Sequence, residues 1–463
     1  MRVLLACLMM WSLTLKAQDS LNVRALYHWY EDTIPSTSMI DNAYNEVWGY
    51  AKDGKEYAII GSTIGTHIFD VTDPVNSHEV VMVPGAIQGS VLIHRDYHDY
   101  DDYLYTVADE GNSTLQIVDL RFLPDSAPVV YDSDSLVRRS HNIFIEEATK
   151  RLYVCGGAGL SSVAPIVTAN HLSVFSLEDP EMPELIVNCR FDLPFWNYAS
   201  ATSGDYVHDI YVKDNIAYCH AGYTGLIVLD FSDTSDVQKI GTLDTYPQQG
   251  YNHSGWLSDD GATYAMSDET WGMDIKIMDV SDLSNIQILD TIGSEQHPLA
   301  MSHNLIFKDD FLYISHFVDG LYIYDLSNLD SIRLAGYYDT STRPHEQGKW
   351  EGACGVYPFL PSGNILISDM QTGLWVLDVH DAITGIDKQP YQEKFGVYPN
   401  PTNGEVFLTG KGTDMVHIYD LFGSLVVVCK SDRLDMSILS DGMYLLKTTD
   451  NIGVLRTSKI IKY

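Results

Sequence analysis

Gly225-Leu-Ile-Val-Leu-Asp230 is an apolar block closed by an aspartate, and versions of it occur seven times in the chain. The others are Gly65-Thr-His-Ile-Phe-Asp70, Thr114-Leu-Gln-Ile-Val-Asp119, His171-Leu-Ser-Val-Phe-Ser176, Asp274-Ile-Lys-Ile-Met-Asp279, Gly320-Leu-Tyr-Ile-Tyr-Asp325 and Gly373-Leu-Trp-Val-Leu-Asp378. Successive block ends are 49, 57, 54, 49, 46 and 53 residues apart, so one unit takes about fifty residues. A repeat of that length, rich in Val, Ile and Tyr, is the mark of stacked β-units, and here it implies the blades of a propeller. The expected fold is all-β: a seven-bladed β-propeller followed by a small β-sandwich.

The fourth unit displays the plan. Val207-His-Asp-Ile-Tyr-Val212 alternates as a strand, and Lys213-Asp-Asn215 turns the chain into a second strand, Ile216-Ala-Tyr-Cys219. The block is the third strand, and Gln238-Lys-Ile-Gly-Thr-Leu243 is the outer fourth. Consecutive apolar positions in the block fit a strand covered on both faces. The closing Asp reads as a turn builder, because short carboxylates bond the turning backbone; Ser176 weakens only its own turn. No outer strand follows Asp378, whereas Asn22-Val-Arg-Ala-Leu-Tyr-His-Trp-Tyr30 has the outer-strand pattern. The N-terminus is therefore expected to cross over and complete the last blade, removing two open sheet edges.

Acidic residues number 63 against 28 basic ones, a formal charge of −35. That field repels phosphate backbones and anionic membranes, so nucleic acid is excluded as a partner and cations are favoured. Residues 1–17 read as a signal peptide, with Arg2 ahead of an apolar run and Ala17 before the expected mature start at Gln18. No later stretch reaches the length of a transmembrane segment. Beyond Cys7 the five cysteines are odd in number and lack metal-type spacing, so most of them read as buried strand residues. The expected layout is propeller at 18–386, linker at 387–393 and sandwich at 394–463.

Two resemblances follow from particular residues. Tyr398-Pro-Asn-Pro-Thr-Asn-Gly404, Ile418-Tyr-Asp-Leu-Phe-Gly423, Leu439-Ser-Asp-Gly-Met-Tyr-Leu445 and Lys459-Ile-Ile-Lys462 resemble the C-terminal sorting domain of the Bacteroidetes type IX secretion system. This resemblance implies handling by the type IX secretion machinery and a secreted or outer-surface protein. Residues 22–380 resemble the choice-of-anchor B proteins, whose LVIVD-type repeats build a propeller. The carrying residues include Glu46-Val-Trp-Gly49, Ser140-His-Asn142, Val207-His-Asp209, Gly255-Trp-Leu257, Ser302-His-Asn304 and Tyr357-Pro-Phe-Leu-Pro-Ser-Gly363. No defined activity comes with that likeness.

Each first strand opens on a polar pair: Arg95-Asp96, His141-Asn142, His208-Asp209, Asn252-His253 and His303-Asn304, with Trp48 and Trp350 in the remaining two units. First strands line a propeller channel, so Arg95, Asp96, His141, Asn142, His208, Asp209, His253, His303 and Asn304 are the candidate ligand-binding residues. Neutral imidazoles beside carboxylates suit a divalent metal ion, with His141, His208, Asp209, His253 and His303 as candidate ligands. The same groups would serve equally as hydrogen-bonded channel lining. A second set, Asp109-Glu110, His220, Asp268-Glu269, His316 and Asp369, ends the second strands and is expected on the opposite rim. No catalytic motif is present: H-E-x-x-H, G-x-S-x-G and phosphate loops are all missing. The function implied is a binding module for an extracellular protein or glycan, with a metal-assisted hydrolase using the channel histidines and aspartates as the alternative.

Overall fold

The computed structural model describes residues 19–463 except 157, 162–163, 170–171, 190–206, 386–395, 399, 401, 410–412, 421–423, 431–432 and 451–454. The signal-peptide and linker readings lie outside the described residues. The chain divides into two compact units, the first ending at Gly385 and the second beginning at Ile386.

Among the described residues of the first unit, seven antiparallel sheets of four or five strands follow one another along the chain. Their inner strands are Tyr44–Lys52, Arg95–Tyr100, Asn142–Glu146, Asp209–Lys213, Asn252–Leu257, Leu305–Lys308 and Ala353–Tyr357. Each inner strand contacts the next, and Ala353–Tyr357 contacts Tyr44–Lys52, so the arrangement is propeller-like. Seven apolar clusters fill the spaces between neighbouring sheets. The one joining last to first packs Leu366, Leu374 and Val376 against Ala58, Ile60 and Phe69.

The repeated block is the third strand of each sheet, and its chemistry explains its spacing. Asp70, Asp119, Asp230, Asp279, Asp325 and Asp378 each accept a backbone N–H two residues on, at 2.8–3.0 Å. Ser176 does the same through Oγ at 3.3 Å. Gly373 opens the last block at φ +92°, where an added Cβ would lie 2.2 Å from the carbonyl of Trp29. All seven pairings of block with outer strand carry a register shift after the block's fourth residue. Such bulges raise the local twist and spoil an exposed edge for pairing with another chain.

The expected crossover is present: Arg24–Trp29 pairs antiparallel with Gly373–Asp378. One detail was not legible beforehand. Ser20–Leu21 first pairs with Arg333–Tyr338, so the N-terminal segment edges the sixth sheet before completing the seventh. Cys155, Cys219 and Cys354 are buried on strands and Cys189 is buried just past one, whereas Cys429 is only half-buried.

The second unit holds a three-stranded and a four-stranded sheet. Val406, Leu408, Leu434 and Met436 of the first share one core with Val416, Ile418, Tyr444, Leu446 and Ile460 of the second.

Candidate functional site

Five imidazoles stand in successive sheets: His94, His141, His208, His253 and His303. Neighbouring ring centroids are 4.5, 3.9, 4.5 and 4.3 Å apart. The structure thus brings together His141, His208, His253 and His303, and it adds His94. Arg95 leaves the set: its guanidinium turns away to donate to the carbonyls of Ser62, at 3.0 Å, and of Ile87. Trp48 and Trp350 also stand elsewhere. Trp48 lies further along its strand, and Trp350 packs on Trp271 at 4.9 Å. The register reason is visible in the first, fifth and seventh sheets, whose inner strands are bulged at their entry.

The second-strand set is not on the opposite rim. Antiparallel pairing sets the end of a second strand beside the start of its first, as in Asp209↔His220 and Asn252↔Asp268. Asp109 Oδ2 accepts from His141 Nδ1 at 2.9 Å, and Glu269 Oε2 lies 3.9 Å from His253 Nε2. Burial pushes the His141 imidazole down, but its hydrogen bond and the charge of Asp109 outweigh this and hold it up at about 9. Burial, with further repulsion from neighbouring imidazoles, lowers His94, His208 and His253 well below the ordinary range. His303 is lowered to about 4 by burial, and its Nδ1 donates to the Cys354 carbonyl at 2.7 Å. One cation therefore sits in an otherwise neutral arc.

The next residues along the inner strands form a second layer. Glu46, Asp96, Asn142, Asp209 and Asn304 line a common cavity with Ser254. Asp96 Oδ2 accepts the Ile143 N–H at 2.7 Å, Asp209 Oδ1 accepts that of Ile210 at 2.6 Å, and Asn304 Nδ2 donates to Glu46 Oε2 at 2.8 Å. Burial raises all three acids: Asp96 to about 7, Asp209 to about 8, and Glu46 well above the usual range with the charge of Asp96 adding to it. The Asp209 carboxyl, raised from 3.8 to about 8, adds stability that is complete below about 3.8 and is lost progressively as pH climbs to about 8. We expect Asp209→Asn to raise the melting midpoint at pH 9 far more than at pH 4. Thermal denaturation at the two pH values checks this.

Two positions further on, an aromatic collar surrounds the cavity. Trp48 and His98 have centroids 4.5 Å apart, Phe144 and Tyr211 5.4 Å, Tyr211 and Trp256 4.7 Å, and Trp48 and Tyr357 5.0 Å. His98 is lowered to about 4 by burial, so it joins the collar as a neutral ring. The cavity offers about 60 Å³ to water-sized groups, room for an ammonium headgroup or a few waters rather than for a whole small molecule. No lysine or arginine lines it among the described residues.

Sequence reasoning missed His94, Glu46, Cys354 and the collar. His94 directly precedes the pair that was read, and the collar residues Phe144, Tyr211 and Trp256 stand at the third position after His141, His208 and His253. Both signals were therefore present.

Residues 396–463 match the family described as the secretion system C-terminal sorting domain, and this indicates export by the type IX secretion system. No curated protein sequence matches the chain. Among solved structures, the computationally designed Ika8 protein is 10% identical with a TM-score of 0.43, covering 74% of this chain and 98% of that one. The Cps50 (Swd1) beta-propeller domain of Myceliophteria thermophila is 9% identical with a TM-score of 0.47, covering 73% and 96%. No helix is long and apolar enough to cross a membrane among the described residues.

Proposed function

We propose that this chain is an exported seven-bladed β-propeller that binds a small organic cation in its collared channel mouth. Residues 1–17 would be its signal peptide, 18–386 the propeller, 387–393 a linker and 394–463 a β-sandwich sorting tail. The likeness of residues 22–380 to the choice-of-anchor B proteins supports the propeller assignment.

One observation carries the ligand class. Three acids, the buried Glu46 and Asp96 and the half-buried Asp209, face a cavity that no lysine or arginine lines among the described residues, under the rings of Trp48, Phe144 and Trp256. Burying carboxyl groups without a counter-charge is costly. An ammonium group entering from solvent would offset that cost, and indole and phenyl faces attract the same group. The hydrolase reading has less support, since the residues nearest this cavity include no activated nucleophile.

Calorimetric titration with choline, ethanolamine and spermidine, against glucose and acetate as controls, tests the reading. At least one amine is expected to bind, and Asp209→Asn should weaken it about tenfold or more, equivalent to about 1.4 kcal/mol. Absence of binding by every amine, or binding indifferent to Asp209→Asn, rejects the proposal.

A further inference from the structure

We propose that the imidazole arc, about 10 Å from the aromatic collar along the inner strands, is a transition-metal site centred on His253. His141, His208 and His253 are its three nitrogen ligands. This inference stands apart from amine binding, because it uses different residues and a different ligand.

The donor geometry comes first. One ring nitrogen from each of His141, His208 and His253 lies within 4.8 Å of the other two. Metal–nitrogen bonds of about 2.0–2.1 Å need donors somewhat closer, so small side-chain rotations complete the site. The second observation is independent. His253 is 3% exposed, and neither of its ring nitrogens has a hydrogen-bond partner among the described residues. A neutral imidazole carries one N–H and one lone pair, and leaving both unmet in a buried place costs several kcal/mol. Stacking against other imidazoles satisfies neither, whereas a metal ion takes the lone pair directly.

The surroundings have the features that orient metal-binding histidines. Asp109 holds Nδ1–H of His141 at 2.9 Å, and the Cys354 carbonyl holds Nδ1–H of His303 at 2.7 Å. Carboxylate or carbonyl acceptors of this kind fix the tautomer and free Nε2 for the ion. Glu269 Oε2 stands 3.9 Å from His253 Nε2, available to a ligand water or as a further donor. Three nitrogen donors suit Zn²⁺, Cu²⁺ or Ni²⁺ and leave an open position. Ca²⁺ and Mg²⁺ require oxygen ligands, so they are not the expected occupants.

The mature protein, stripped with a chelator and dialysed against Zn²⁺, Ni²⁺ or Co²⁺, tests the site by elemental analysis. About one ion per chain is expected, as for a mononuclear three-histidine site. Co²⁺ should give visible d–d absorption, and Ca²⁺ should not be retained. His208→Ala and His253→Ala should each lose the ion while keeping the melting midpoint of the metal-free parent. If His208→Ala does not fold, His208→Gln replaces it. Asp109→Asn should weaken affinity about 10–100-fold without changing stoichiometry. Metal content in the parent below a tenth of an ion per chain overturns the proposal. Retention of the ion by His253→Ala overturns it too, as does retention by His208→Ala with loss in His303→Ala.

Discussion

Deleting residues 19–30 is expected to cost the first unit about 4–6 kcal/mol, enough to bring a domain of ordinary stability close to unfolding. The segment's Val23 is buried beside Ile365 and Leu377, and the Trp29 ring packs on Phe69 at 4.8 Å, His67 at 4.9 Å and Tyr44 at 5.3 Å. His28 stacks on Trp375 at 3.8 Å. Full burial of a large apolar side chain is worth about 1.5–3 kcal/mol, and Tyr27 and Trp29 are only partly buried, which sets the range. The ladder from Arg24 to Trp29 is lost as well, leaving Gly373–Asp378 as an open edge. Urea denaturation of residues 19–385 with and without the segment measures the effect, and light scattering reports edge-driven association. Equal midpoints for the two forms would mean that the crossover is not what closes the ring.

That crossover was legible because it needed only two complementary facts. The last unit lacked an outer strand, and the N-terminus had the pattern of one. The turn-building aspartates were legible for a similar reason, since their chemistry is local and each bonds a backbone N–H two residues away. The channel was harder. Alternation along a strand places side chains only while the strand is regular, and the entries of three inner strands are bulged. Arg95 begins an unbulged strand, and it was read into the channel where His94 stands because nothing local reveals that Ser62 and Ile87 offer carbonyls to the guanidinium. The rim assignment of Asp109 and Glu269 failed on topology, not chemistry: hairpin pairing returns the second strand to the start of the first. Trp48 was read at the channel entry, and Phe144 and Trp256 pass as ordinary strand residues, since a collar exists only once the ring is assembled.

The sequence pair Asp268-Glu269 was read as a unit, and the structure divides it. Glu269 turns to His253, whereas Asp268 is fully buried against Lys276, with Nζ 2.6 Å from Oδ2. Lys276 also donates to the Gln248 carbonyl at 2.7 Å, and Asp268 accepts from Tyr246 OH at 2.8 Å and the Gly250 N–H at 3.2 Å. Both charges are thus removed from water and met entirely by protein groups. Such a pair adds little net stability compared with apolar residues of the same size, because desolvation offsets the attraction. Breaking it is different, since the survivor stays buried and uncompensated. We expect Asp268→Ala to destabilise by about 3–5 kcal/mol, and Lys276→Met by a similar amount. The double variant Asp268→Leu/Lys276→Met should recover most of the loss, giving a coupling well above the roughly 0.3–0.5 kcal/mol of independent sites. Glu269→Gln, one residue away, should leave the melting midpoint of the metal-free protein nearly unchanged. A loss below 1 kcal/mol in Asp268→Ala would mean that water reaches Lys276 once the carboxylate is gone. The fifth sheet would then open far more readily than its buried ion pair implies.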